Sequence, residues 1–155
     1  LMSVDLHAAQ TQGFFDGPVD HLWAMPLLVD YVRTRVDLSN VAVVSPDAGR
    51  IRVAEQWAAK LGGCPLAFIH KTRDITAPNR SVANRVVGEV DGRTCILTDD
   101  LIDTGGTIAE AVRVLLAAGA KDVIVAATHG VLSHPAGQRL QECGAREIVV
   151  TDTLP

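Results

Sequence analysis

From residue 41 onward the chain repeats one pattern: five to seven mostly apolar, often β-branched residues, then a segment whose apolar residues recur at helical spacing. The apolar runs lie at 41–45, 66–70, 94–99, 122–128 and 147–151. Strands this apolar must be covered on both faces, and a largely parallel sheet with helices packed on each side satisfies that need. The intervening segments predict helices at 50–61, 107–118 and 135–143, with a further one at 22–35. In the helix at 107–118, Ile108, Val112, Leu115 and Leu116 form the buried stripe and Gly119 is placed as the stop. The fold class is therefore α/β, a mainly parallel sheet with helices on both faces. Two stretches break the pattern. Residues 71–83, around Pro78, are polar and basic with neither period, as expected of a functional or disordered loop. Residues 86–98 around Asp91-Gly92 read as a hairpin.

Composition narrows the function classes. At 155 residues and 48% apolar content the chain can bury one core. Its longest apolar stretches, such as 123–127, fall far short of the roughly 20 residues of a membrane span, so no membrane partner is expected. A net charge of -4 and 4% aromatic residues argue against a nucleic-acid surface, which needs a basic stripe and stacking platforms. Cys64, Cys95 and Cys143 are odd in number, far apart and in apolar company. Buried, reduced thiols and a cytoplasmic setting are the expectation. The chain opens in the strand-like run Leu1-Met2-Ser3-Val4 and stops just after a strand, so further material is expected at both ends.

Residues 99–108, DDLIDTGGTI, follow the apolar run Cys95-Ile96-Leu97 and lead into the central predicted helix. In an open α/β sheet this is where ligands bind. Gly105 and Gly106 free the backbone from Cβ crowding, so successive N–H groups and the positive end of the helix can face one anion. Thr104 and Thr107 add hydroxyl donors. Asp99 and Asp100 cannot share a phosphate's oxygens, because like charges repel and an unpaired buried carboxylate is costly. They suit hydroxyl groups or a cation. A ligand with a phosphate at one end and a vicinal diol nearby is a sugar phosphate such as ribose 5-phosphate, with Mg²⁺ as companion. The loop matches neither the Walker pattern nor the dinucleotide fingerprint.

Residues 95–108 resemble the phosphoribosyl-pyrophosphate loop of the phosphoribosyltransferase fold. Three further stretches are similar to the ribose-phosphate pyrophosphokinase family: Val4 to Gln10 with Gly13-Phe14-Phe15, Ser45-Pro46-Asp47-Ala48-Gly49, and Ala127-Thr128-His129. The resemblance covers nearly the whole chain, in order. It implies transfer of the diphosphoryl group of Mg-ATP to the 1-hydroxyl of ribose 5-phosphate, giving phosphoribosyl pyrophosphate and AMP. It implies that Asp99, Asp100 and Asp47 hold the ribose hydroxyls and metal, and that Asp103, Thr104, Gly105, Gly106 and Thr107 hold the 5-phosphate. His7, with Asp47, is implied as a metal ligand, and Lys71 and Arg73 as catalytic cations of a mobile loop closing over the triphosphate. ATP and ribose 5-phosphate are the implied partners, in a homo-oligomer built from dimers, up to a hexamer. Residues 1–21 would be the last part of a preceding phosphoribosyltransferase-like domain, and 22–155 the C-terminal domain carrying the ribose 5-phosphate site. This portion alone would then bind the sugar phosphate but turn over ATP poorly. Two departures stand out: Arg50 replaces a frequent second glycine, and Thr72 and Asp74 replace residues that are commonly Arg and Pro. A nucleobase phosphoribosyltransferase and a non-catalytic regulatory homologue of the synthetase remain alternatives. The first needs a base-reading hood that the sequence lacks, and the second should have damaged ligands.

Overall fold

The computed structural model describes residues 1–72 and 83–154. A six-stranded sheet is built from β3 (Val41–Ser45), β4 (Leu66–Thr72), β5 (Ala83–Val87), β6 (Thr94–Ile102), β7 (Asp122–Gly130) and β8 (Glu147–Thr151), in the order β5-β4-β3-β6-β7-β8. All neighbours are parallel except β4 and β5. Among the described residues four α-helices cover it: α1 (Met25–Arg33), α2 (Ile51–Lys60), α3 (Gly106–Ala117) and α4 (Ala136–Glu142). Two short strands, β1 (Met2–Val4) and β2 (Asp20–Leu22), pair in parallel as a separate small sheet. The expected α/β architecture is present. Among the described residues no helix is long and apolar enough to cross a membrane.

Strand periodicity sends alternate residues to opposite faces, and the core divides accordingly. Val41, Val43, Ile96 and Ile124 pack with Leu28 and Val32 of α1 and Trp57 of α2. Ala42, Val44, Cys95, Leu97, Val123 and Val125 pack with Ile108, Val112 and Leu115 of α3. Cys95 and Cys143 are buried, Cys64 is partly so, and all three are free thiols. Burial in this apolar setting pushes the Cys95 thiol up to about 12, so it stays protonated and behaves as a small hydrophobe.

Three expectations need correction. The helix expected at 22–35 is shorter: Leu22 is taken by β2, which pairs it with Val4, and Pro26 sits in the first turn of α1, where its missing N–H costs nothing. The hairpin expected at 86–98 does not form. β6 is flanked on both edges by β3 and β7, so β5 pairs instead with β4 at the sheet margin. Gly88, at φ +114, turns the chain away where a Cβ would lie 2.7 Å from the Leu66 carbonyl oxygen. Gly92 then donates its N–H to the Gly119 carbonyl at 2.8 Å, tying Asp91-Gly92 to the end of α3. Finally, β6 continues through Ile102, because β7 extends alongside it as far as Gly130. Asp99 and Asp100 are therefore strand residues, rigidly placed by the sheet.

Leu115 is completely buried between α3 and the sheet. Leu115→Ala is expected to lower the unfolding free energy by about 2–5 kcal/mol in denaturant titrations. Leu27→Ala, at a position 67% exposed on α1, should stay within about 0.5 kcal/mol of the parent.

Candidate functional site

β3 and β6 lie side by side and parallel, yet the chain leaves β3 for α2 on one face and β6 for α3 on the other. At such a reversal the two connecting segments diverge and leave a crevice beyond the strand ends. The crevice is an open cleft of about 280 Å³, bordered by His7, Asp47, Arg50 and the continuous stretch from Asp99 to Ile108. The sequence-predicted residues other than Lys71 and Arg73 thus meet in one place. Lys71 is described only by its backbone place in β4, opposite Asn84, and Arg73 lies outside the described residues.

One half of the cleft is built for an anion. Gly105 adopts φ +71 at the N-cap of α3, and among the described residues no side chain caps the helix's first amides. A Cβ on Gly105 would stand 3.1 Å from Leu140 Cγ on α4, so only glycine fits the turn comfortably. Asp103, Thr104 and Thr107 are exposed around it, while Gly105 is buried. Uncapped amides at the positive end of a twelve-residue helix are a ready phosphate cradle. Arg139 of α4 donates from Nη1 to the Thr104 carbonyl at 3.1 Å, bracing the loop from behind and adding positive charge.

The other half is acidic. Asp99 and Asp100 side chains are 15% and 7% exposed. Asp99 Oδ1 accepts the Asp100 N–H and Asp100 Oδ1 accepts the Leu101 N–H, each at 2.9 Å. His7 Nδ1 lies 2.6 Å from Asp100 Oδ2 and 3.1 Å from Arg50 Nη2. Arg50 reaches both carboxylates, with Nε 3.3 Å from Asp99 Oδ1 and Nη2 paired with Asp100 Oδ2. Behind the pair, a small pocket has an apolar wall that includes Leu28, Val53 and Trp57. Burial pushes the Asp99 carboxyl up to about 7, helped by the neighbouring Asp100. Burial acts the same way on Asp100, but the bonds from Asp99 and His7 and the charge of Arg50 outweigh it and hold its pKa low. Asp47 lines the cleft from the β3 side, where its Oδ1 accepts the Gly49 N–H at 2.8 Å.

The N-terminal segment is strapped to the same edge. Asp5, at φ +43, accepts from the Ala24 N–H at 3.0 Å and the Thr128 hydroxyl at 2.5 Å. His129 Nε2 lies 2.9 Å from the Val4 carbonyl and Nδ1 2.7 Å from Thr153 Oγ1. These contacts deliver His7 to Asp100 across 93 positions of sequence. Sequence reasoning assigned no site part to Arg50, Arg139, Asp5 or Thr128. Arg50 carried a signal: it is the N-cap of α2, where the helix dipole disfavours a cation unless an anion holds it. The others become visible only through contacts made in space.

For a metal the chemistry of the donors is the test. Among the described residues no cluster of three or more His, Cys, Asp or Glu side chains forms a cage. Two buried carboxylates beside a phosphate cradle nevertheless fit Mg²⁺, which keeps several waters and takes one or two carboxylates plus substrate oxygens.

Two outcomes follow. Gly105→Ala should weaken binding of a phosphorylated sugar at least tenfold in titration calorimetry, since a positive φ costs a Cβ-bearing residue about 1–2 kcal/mol before the clash with Leu140 is counted. Asp99 binds its proton more tightly folded than at its ordinary value of 3.8, so its contribution to stability is present below that value and lost as pH rises toward about 7. Asp99→Asn should therefore show a flatter fall in unfolding free energy than the parent between those limits, measured by denaturant titration at several pH values.

A phosphoribosyl transferase domain model matches residues 24–150. The ribose-phosphate pyrophosphokinase of Bifidobacterium longum is 74% identical over 157 aligned residues, which take in 100% of this chain and 46% of that protein. That of Mycobacterium tuberculosis strain H37Rv is 64% identical over 155 residues, again 100% of this chain and 48% of its own length. The crystal structure of phosphoribosylpyrophosphate synthetase from Mycobacterium smegmatis superposes with a TM-score of 0.89 at 64% identity, covering 99% of this chain and 49% of that one. Orotate phosphoribosyltransferase from Aeropyrum pernix, 24% identical with a TM-score of 0.65 over 83% of this chain and 69% of its own, shares the fold. The chain thus spans about half the length of the pyrophosphokinases it matches. It belongs to the phosphoribosyl transferase domain family, and over its whole length it is related to the ribose-phosphate pyrophosphokinases.

Proposed function

We propose that this chain forms the ribose 5-phosphate half of an enzyme that moves the β,γ-diphosphoryl group of ATP to the 1-hydroxyl of the sugar, releasing AMP. The observation that carries the reading is the meeting, at one sheet reversal and in one cleft, of an uncapped helix start opened by Gly105 and a largely buried carboxylate pair. The names of the relatives point the same way.

In this reading the 5-phosphate sits on the amides and hydroxyls from Asp103 to Thr107, and Asp99, Asp100 and Asp47 accept from the ribose hydroxyls. Held at both ends, the sugar presents its 1-hydroxyl in a fixed direction, which supplies much of the acceleration in phosphoryl transfer. The oxygen of that hydroxyl forms the new bond to the β-phosphorus as the bond from the β-phosphorus to the α–β bridging oxygen breaks; AMP leaves with that oxygen, and the hydroxyl proton passes to solvent water. Mg²⁺, when bound at the carboxylates and His7, would neutralise charge on the transferred phosphates. Lys71 and Arg73 are assigned to the moving group, where added positive charge and exclusion of water lower the barrier. The ATP-binding remainder would come from segments beyond residues 1–155 and from a homo-oligomeric assembly, so this portion alone should bind ribose 5-phosphate with little turnover.

AMP formation from Mg-ATP by the full-length protein, with and without ribose 5-phosphate, tests the proposal. Sugar-dependent AMP is the expected result, with Lys71→Ala lowering kcat about 10²–10³-fold. Absence of AMP, in protein that still binds ribose 5-phosphate, would overturn it.

A further inference from the structure

Arg50 is placed against its electrostatic interest. It caps the N-terminus of α2, whose dipole repels a cation, and its side chain is only 18% exposed. What offsets that repulsion is the carboxylate pair, with Nε against Asp99 Oδ1 at 3.3 Å and Nη2 against Asp100 Oδ2, while Nη2 also lies 3.1 Å from His7 Nδ1. The acceptor sites of Asp100 are heavily used, Oδ1 by the Leu101 N–H and Oδ2 by both His7 and Arg50. Mg²⁺ demands carboxylate oxygen at about 2.0–2.1 Å in near-octahedral geometry. A guanidinium already lodged against both carboxylates blocks that approach and repels the incoming charge. Guanidinium and cation are therefore alternatives at the pair.

We propose that Arg50 is a positioning residue that acts as the internal counter-ion of Asp99 and Asp100 while the site is unloaded and competes with the divalent cation for them. The inference rests on the reading of this cleft as a sugar-phosphate and cation site. It has two consequences. In the unloaded protein Arg50 adds a guanidinium to two carboxylates whose other partners are His7 and backbone N–H groups. On loading it must withdraw toward the cleft mouth, so cation affinity is set by a competition written into the chain. A glycine at this position would leave the pair open, with only His7 and backbone N–H groups against its charge.

The test is Mn²⁺ binding, read by electron paramagnetic resonance of the free ion, in the full-length protein without nucleotide, alongside ribose 5-phosphate binding by calorimetry. Arg50→Gly should bind Mn²⁺ about tenfold more tightly than the parent, the scale of one lost charged hydrogen bond. Its melting temperature without cation should fall, and saturating Mn²⁺ should close the gap. Arg50→Gln removes the charge but keeps the side-chain stem and should show the same gain, which keeps the test decisive if the glycine variant does not fold. Arg50→Lys should restore most of the competition. Unchanged or weaker Mn²⁺ binding in both neutral variants, with ribose 5-phosphate still bound, would overturn the role of Arg50 and leave the site reading intact. Loss of ribose 5-phosphate binding in the parent itself would overturn the site reading as well.

Discussion

Everything at the cleft depends on β6 being the inner strand between β3 and β7, buried on both faces until its last turn of chain. The sheet fixes its backbone so firmly that the two carboxylates at its end cannot retreat into water. Burial then makes their charge expensive. The protein offsets that cost locally, through backbone N–H groups, His7 and Arg50, and by letting Asp99 hold its proton more tightly than an ordinary carboxyl. A pair balanced this finely is suited to accept hydroxyl groups or a cation, because each replaces a partner the carboxylates already need.

The anion half obeys the opposite economy. Its donors are left without partners in the helix, and the turn that exposes them survives because Gly105 tolerates a positive φ under the roof of Leu140. Arg139 and α4 brace this turn from behind, so the loop is shaped before a ligand arrives. A preshaped donor set needs little reorganisation on binding, which is the condition for strong electrostatic recognition of a phosphate. Both halves sit at the same reversal of strand order, so their separation is set by the sheet and does not depend on flexible connections.

The N-terminal segment shows how far the site depends on contacts remote in sequence. Asp5, His7 and Val4 reach Thr128, Asp100 and His129, joining the first residues to the ends of β6 and β7. The small β1–β2 sheet places these residues and presents Leu22 and Trp23, about half exposed, beside them.

The α/β class, five of the six strands of the main sheet and the glycine-opened loop were legible in the residues alone, because strand and helix periods and the φ demands of glycine are local properties. It also contained the acidic pair and its neighbours as candidates, through a motif whose residues are contiguous. What it misjudged was pairing: Asp91-Gly92 looks like a hairpin tip, yet β5 goes to β4 because both edges of β6 are already taken, a fact no local pattern can express. The roles of Arg50, Arg139 and Thr128 were decided only in tertiary structure. Each acts through a contact with a residue distant along the chain, and a lone charged or hydroxyl side chain looks like ordinary surface until its partner is in place.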